Sequence, residues 1–126
     1  MSQSRFAALW LGAVVAIGCA VGRGAPQSPA VVYQRDAEAV RRGRLLFRGT
    51  CGGYCHPVKP ARRDAPYLFD CVWKHGGSDA EIFVSISSGY SATRMPAWGG
   101  KLPKGDEDIW KVIAYLRSER TCDDQS

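Results

Sequence analysis

Six consecutive residues constrain this chain more than any other segment: Cys51-Gly52-Gly53-Tyr54-Cys55-His56. Two thiols and an imidazole this close together are placed to share one bound group or one bond. Four readings fit the segment taken alone. Haem attachment needs two thiols for the vinyl groups on one porphyrin edge. It also needs a ligand directly after the second thiol, the pattern Cys-x-x-Cys-His. A Cys51–Cys55 disulfide would suit an exported, oxidised chain. Zinc could take both thiolates, His56 and a fourth residue. A redox-active thiol pair is the last option. The last three readings would leave the rest of the chain unexplained. Here three residues separate the cysteines, one more than usual. Gly52 and Gly53 make a bulge easy, because glycine tolerates positive φ.

The chain is 126 residues long, enough for one small domain. Its start reads as an export signal: Arg5, then an apolar run from Phe6 to Gly18. Two cleavage patterns fit. Ile17-Gly18-Cys19-Ala20 resembles a bacterial lipoprotein signal, with Cys19 as a lipidated first residue and a membrane tether. Otherwise cleavage falls near Gly24-Ala25, which makes 1–24 the signal, 25–35 a linker, 36–122 the domain and 123–126 a tail. Arg5 and Arg23 leave with the signal and no acid does, so the formal charge of +5 falls to +3. No continuous basic face with interleaved aromatics is present, which argues against nucleic acid as a partner.

Three helices are legible. The first spans about Asp36 to Arg48, with Val40, Gly43 and Phe47 on one face and Arg41, Arg42, Arg44 and Arg48 on the other. The second opens at Ser78, where Ser78 and Glu81 form a capping-box pattern, and stops at Gly89. Ile82, Phe83 and Ile86 form its buried stripe. The third spans about Asp106 to Arg117, with three acids at its positive end and Ile109, Ile113 and Leu116 spaced for burial. Gly49 to Lys74 and Tyr90 to Gly105 read as loops. Loops this long are uncommon in a small domain unless they serve a function, such as wrapping a bound group.

A second axial ligand is available in Thr93-Arg94-Met95-Pro96-Ala97-Trp98. Met95 is the sole methionine besides Met1, and it lies in a loop flanked by Gly and Pro. Its soft thioether suits reduced iron, and His/Met ligation raises a haem's potential. A lone Met more often packs in a core. His75 is the other candidate ligand, with a surface loop histidine as its plainer reading.

At these residues the chain resembles class I cytochrome c, from about Ala37 to Ser118. Gly43 and Phe47 match the Gly-x-x-x-aromatic pair of the family's first helix. Pro66, in Ala65-Pro66-Tyr67-Leu68, is similar to the Gly-Pro-x-Leu segment, with Ala65 replacing the usual Gly. Thr93-Arg94-Met95-Pro96 resembles the distal methionine loop. Val112 to Arg117 resembles the C-terminal helix, whose Tyr packs near the small Gly of the first.

The resemblance implies an all-α fold of three or more helices, with long loops around one covalent haem c. It implies that Cys51 and Cys55 hold the porphyrin, that His56 and Met95 bind iron, and that the Pro66 carbonyl holds the His56 Nδ1–H. Tyr67, Leu68, Ile82, Phe83, Ile86 and Trp98 are the expected apolar walls. The function implied is one-electron transfer in the periplasm. A dehydrogenase would be the donor and an oxidase or respiratory complex the acceptor. Two alternatives are a dedicated subunit of one dehydrogenase, and a peroxidase or gas sensor if Met95 is displaceable. Cys71 and Cys122 are spare for haem, and in an oxidising compartment spare thiols tend to pair. Arg62, Arg63, Arg94, Lys101 and Lys104 read as solvated surface, able to steer an acidic partner.

Overall fold

The computed structural model describes residues 26–122. The export-signal reading and the 123–126 tail lie outside the described residues. Four α-helices appear: α1 (Pro29–Tyr33), α2 (Ala37–Leu46), α3 (Asp79–Ser88) and α4 (Asp106–Ser118). Among the described residues there is no strand, and no helix is long and apolar enough to cross a membrane.

The helix ends follow local chemistry. Asp36 caps α2 by accepting from the N–H groups of Glu38 (2.9 Å) and Ala39 (3.3 Å). Both halves of the capping box at α3 are formed: Glu81 N–H donates to Ser78 Oγ at 3.3 Å, and Ser78 N–H donates to Glu81 Oε2 at 2.9 Å. Asp106, Glu107 and Asp108 occupy the first turn of α4. The residues read from sequence as one helix to Arg48 change character at Phe47. From Phe47 to Gly52 the chain winds as a π-helical turn.

A second correction concerns 25–35. Residues 29–33 of that supposed linker form α1, with Pro29 in its first turn and Ala30 fully buried. Five residues are too few to hold a helix alone. Contacts with α4 stabilise it, including the Lys111 ammonium 5.3 Å from the Tyr33 ring centre.

Helix α4 is the central post. Ile109, Val112, Ile113, Ala114, Tyr115 and Leu116 are all buried. Helix α2 crosses it at Gly43. A Cβ at Gly43 would stand 1.9 Å from the Lys111 carbonyl oxygen and 3.1 Å from Tyr115 Cβ, so no side chain fits. The crossing brings Phe47, Phe69 and Tyr115 into one aromatic cluster, with ring centres 5.5–5.7 Å apart. An ion pair ties the same two helices. Arg42 grips the fully buried Asp108 with Nε and Nη2 at 2.6 and 2.7 Å, and the Lys104 N–H donates to it at 2.9 Å. Cys71 and Cys122 form a disulfide, with Cα atoms 6.1 Å apart, that joins the mid-chain loop to the segment after α4.

Two outcomes are expected. Gly43→Ala forces the helices apart and destabilises the domain by about 3 kcal/mol, measured by urea unfolding. Asp108 adds a pH signature. The Arg42 hydrogen bonds hold its carboxyl below the usual 3.8, against the opposing effect of burial. Its stabilisation is therefore present above the unfolded carboxylate range and lost as pH falls through the lower, folded value. Asp108→Asn should give a less stable protein whose stability varies less with pH on the acid side.

Candidate functional site

The Cys51–His56 segment continues the π-helical turn, and its backbone explains the extra residue. Cys55 N–H donates to the Cys51 carbonyl at 3.3 Å, and His56 N–H donates to the same oxygen at 2.9 Å. The second bond closes a five-residue step. A π turn absorbs one more residue than an α turn. The expected bulge at Gly52 and Gly53 therefore takes another form. Neither glycine has positive φ, and Gly53 is right-handed helical at φ −64°. The inserted Tyr54 points outward and is 85% exposed.

The turn places Cys51, Cys55 and His56 on the wall of a cavity of about 500 Å³. His56 is buried, and its Nδ1 lies 2.8 Å from the Pro66 carbonyl oxygen. Burial lowers its pKa, while the Pro66 bond acts in the opposite sense. The ring is thus neutral at pH 7. A carbonyl accepts only, so the single proton sits on Nδ1 and Nε2 keeps its lone pair for a metal.

Met95 lines the same cavity from the other side of the sequence. Its loop is hung from α3. Tyr90 N–H donates to the Met95 carbonyl at 3.1 Å, and Trp98 and Gly99 N–H groups donate to the Ile86 and Ser87 carbonyls at 3.0 Å each. Gly89, at φ +59°, is what lets the loop pass. A Cβ there would lie 2.5–2.6 Å from backbone atoms of Met95, Pro96 and Ala97.

The cavity thus brings together Cys51, Cys55, His56, Pro66 and Met95. Leu68, Ile82, Ile86 and Trp98 are walls, as expected. Tyr67 and Phe83 are not. Tyr67 packs on Phe69 at 5.4 Å, and Phe83 stacks on Trp110 at 4.3 Å. Trp73, Val112 and Leu116 take wall positions that sequence reasoning did not assign. His75 also borders the cavity, exposed and with its ring centre 4.3 Å from that of Tyr90 at a 31° tilt. Arg94, read as solvated surface, is exposed but pairs with Asp64.

The chemistry of this wall separates the readings. Neither Cys51 nor Cys55 is in a disulfide. Burial, with a smaller effect of Cys55, pushes the Cys51 thiol up to about 11, whereas a redox-active thiol has a depressed pKa. Among the described residues no three His, Cys, Asp or Glu side chains converge as zinc would require. Haem c fits. The lining is mostly apolar, the Cys51 thiol is neutral, and one imidazole is presented with its lone pair free. The Trp73 Nε1–H is buried without a partner among the described residues. An unmet donor costs about 1–3 kcal/mol, and a carboxylate of the bound group would satisfy it.

Helices and loops gathered around such a cavity define a class I c-type cytochrome. The profile of the family described as cytochrome c oxidase, cbb3-type, subunit III matches residues 38–116, and the chain belongs to that family. Among solved structures the fold is similar to that of cytochrome CL from the marine methylotrophic bacterium Methylophaga aminisulfidivorans MPT. Identity is 24% and the TM-score 0.62, over 80% of this chain and 72% of that one. The cofactor is covalent haem c, and the activity is haem-based electron transfer.

Gly89→Ala tests the distal support. It should lower stability by about 1–2 kcal/mol through the strained backbone, and it should loosen the Met95 loop. Faster amide hydrogen exchange across residues 90–99 of the holoprotein is the readout.

Proposed function

We propose that this chain is an exported one-electron carrier whose haem c is bound through Cys51 and Cys55 and ligated by His56 and Met95. One observation carries the reading: these four residues share an apolar cavity, with His56 fixed by Pro66. The haem supplies the iron that accepts and releases the electron. The residues around it tune that exchange. The Pro66 carbonyl makes His56 a more basic ligand. The Met95 thioether favours the ferrous state, and so does the apolar lining, because burial disfavours the more charged oxidised iron. The Trp73 indole N–H serves a cofactor carboxylate. With both axial positions filled, no coordination site is left for substrate, which favours a carrier over a peroxidase or gas sensor.

Export is supported by the basic-then-apolar start of the chain and by the Cys71–Cys122 disulfide. Lipidation at Cys19 would tether the carrier to a membrane. The partners on this reading are a periplasmic dehydrogenase as donor and an oxidase or respiratory complex as acceptor. A second reading is a cytochrome subunit held in one larger redox complex, which the matched family's description as an oxidase subunit favours.

The ferrous protein should show a c-type spectrum that survives denaturation and acid-acetone extraction. Extractable haem, or none, overturns the covalent assignment. Met95→Ala should lower the midpoint potential by on the order of 100 mV, within the roughly 0.8 V that axial ligands span. It should also let the ferrous protein bind CO at neutral pH, where the wild type does not. CO binding by the wild type would overturn the closed site.

A further inference from the structure

Trp73 carries a buried indole N–H that has no partner among the described residues. The segment that bears it is irregular, so no helical backbone fixes the ring. We infer that Arg117, in the last turn of α4, is the positioning residue for Trp73. It holds the indole so that the N–H meets a carboxylate of the haem, and in this way it raises the haem's potential. The inference rests on the haem reading above.

Arg117 is not among the residues that line the cavity. Its guanidinium carbon stands 5.7 Å from the Trp73 ring centre, within cation–π range. Its Nη2 donates to the Gly77 carbonyl. Gly77 is itself packed on that ring: a Cβ there would lie 2.7 Å from Trp73 Cδ1 and 3.1 Å from Cγ. Cδ1 is bonded to Nε1, so Gly77 meets the edge of the indole that carries the N–H. One guanidinium therefore fixes the ring twice, once directly and once through the glycine backbone that touches it.

Arg117 is held in turn. Its Nε donates to Asp79 Oδ1 at 2.8 Å, and each of the two side chains is only 15% exposed. The other Asp79 oxygen accepts from the hydroxyl of Ser28, the residue that precedes α1. An ordinary ion pair between α3 and α4 accounts for the Asp79 bond. It does not account for the bond to Gly77 or for the cation's place by Trp73. Those two contacts converge on the ring whose N–H is unmet. A lysine here would keep the charge but lose the planar fork that reaches Asp79 and Gly77 together.

The effect on the haem has a sign. A donor on the cofactor's carboxylate offsets negative charge near the iron, and less negative charge disfavours the more charged ferric state. Losing the alignment of Trp73 therefore lowers the potential.

The test compares Arg117→Lys, Trp73→Phe and the double variant, each as holoprotein with its covalent haem. At the wild-type midpoint, each single variant should raise the ferric-to-ferrous ratio about fivefold, which is about 40 mV for one electron. On the Trp73→Phe background, Arg117→Lys should add less than about twofold. An unchanged potential in either single variant, or full additivity in the double variant, would overturn the inference.

Indole N–H exchange in the diamagnetic ferrous protein separates positioning from general loosening. Arg117→Lys should speed exchange at Trp73 about tenfold, while Trp98 and Trp110 change less than about twofold. Equal acceleration at all three would make Arg117 a tie between helices and overturn its role at Trp73. Extractable haem in the wild type would overturn the covalent assignment instead.

Discussion

The close crossing of α2 and α4 at Gly43 sets the rest of the molecule. Lys111 offers its carbonyl where any other residue on α2 would carry a side chain. That contact brings the two backbones together and delivers Phe47 into the aromatic cluster with Phe69 and Tyr115. Phe47 is also the first residue of the π turn. The Cys51–His56 segment therefore starts from a point already fixed against α4, whose Val112 and Leu116 line the cavity. The Arg42–Asp108 pair constrains the same crossing. Its bonds to Arg42 and Lys104 satisfy a carboxylate that would otherwise be costly to bury.

The π turn decides how the three-residue spacing works. An extra residue between the cysteines would rotate His56 by about 100° in α geometry and aim it away from the cavity. Widening the turn by one residue restores its direction, and the bond from His56 N–H to the Cys51 carbonyl records that widening. The insertion is therefore compensated where it occurs, and Tyr54 is left on the outside.

Much of this was legible because short-range chemistry decided it. The capping box at Ser78 and the acids opening α4 act through neighbours in sequence, and each stands where expected. The first helix was placed correctly from its Gly43–Phe47 face, but periodicity does not distinguish an α turn from a π turn over six residues. Helix α1 was missed because five residues give no period to read; α4 holds it in place. The wall residues show the same limit. Phe83 and Ile82 both read as inward on α3, yet Ile82 lines the cavity while Phe83 stacks on Trp110. Helical phase tells which residues are buried, not which of two neighbours they are buried against. Trp73 sits in an irregular segment with no phase at all.

The two sides of the cavity are held by different means. His56 sits in a wound turn, between two cysteines, with its ring fixed by Pro66. Met95 sits on a loop whose own Tyr90 N–H donates to the Met95 carbonyl, and whose Trp98 and Gly99 N–H groups donate to the last turn of α3. Each fastening is a backbone hydrogen bond worth about 1 kcal/mol net, so the distal side is the softer one. Softness there would suit a site that opens to substrate. The bond on the Met95 carbonyl and the two from Trp98 and Gly99, with Gly89 packed beneath, restrain such an opening. A ligand set that stays the same in both oxidation states minimises the rearrangement that accompanies electron exchange. On the proposed His56/Met95 ligation, that requirement accounts for the backbone of a Pro-containing loop being tied so closely to a helix end.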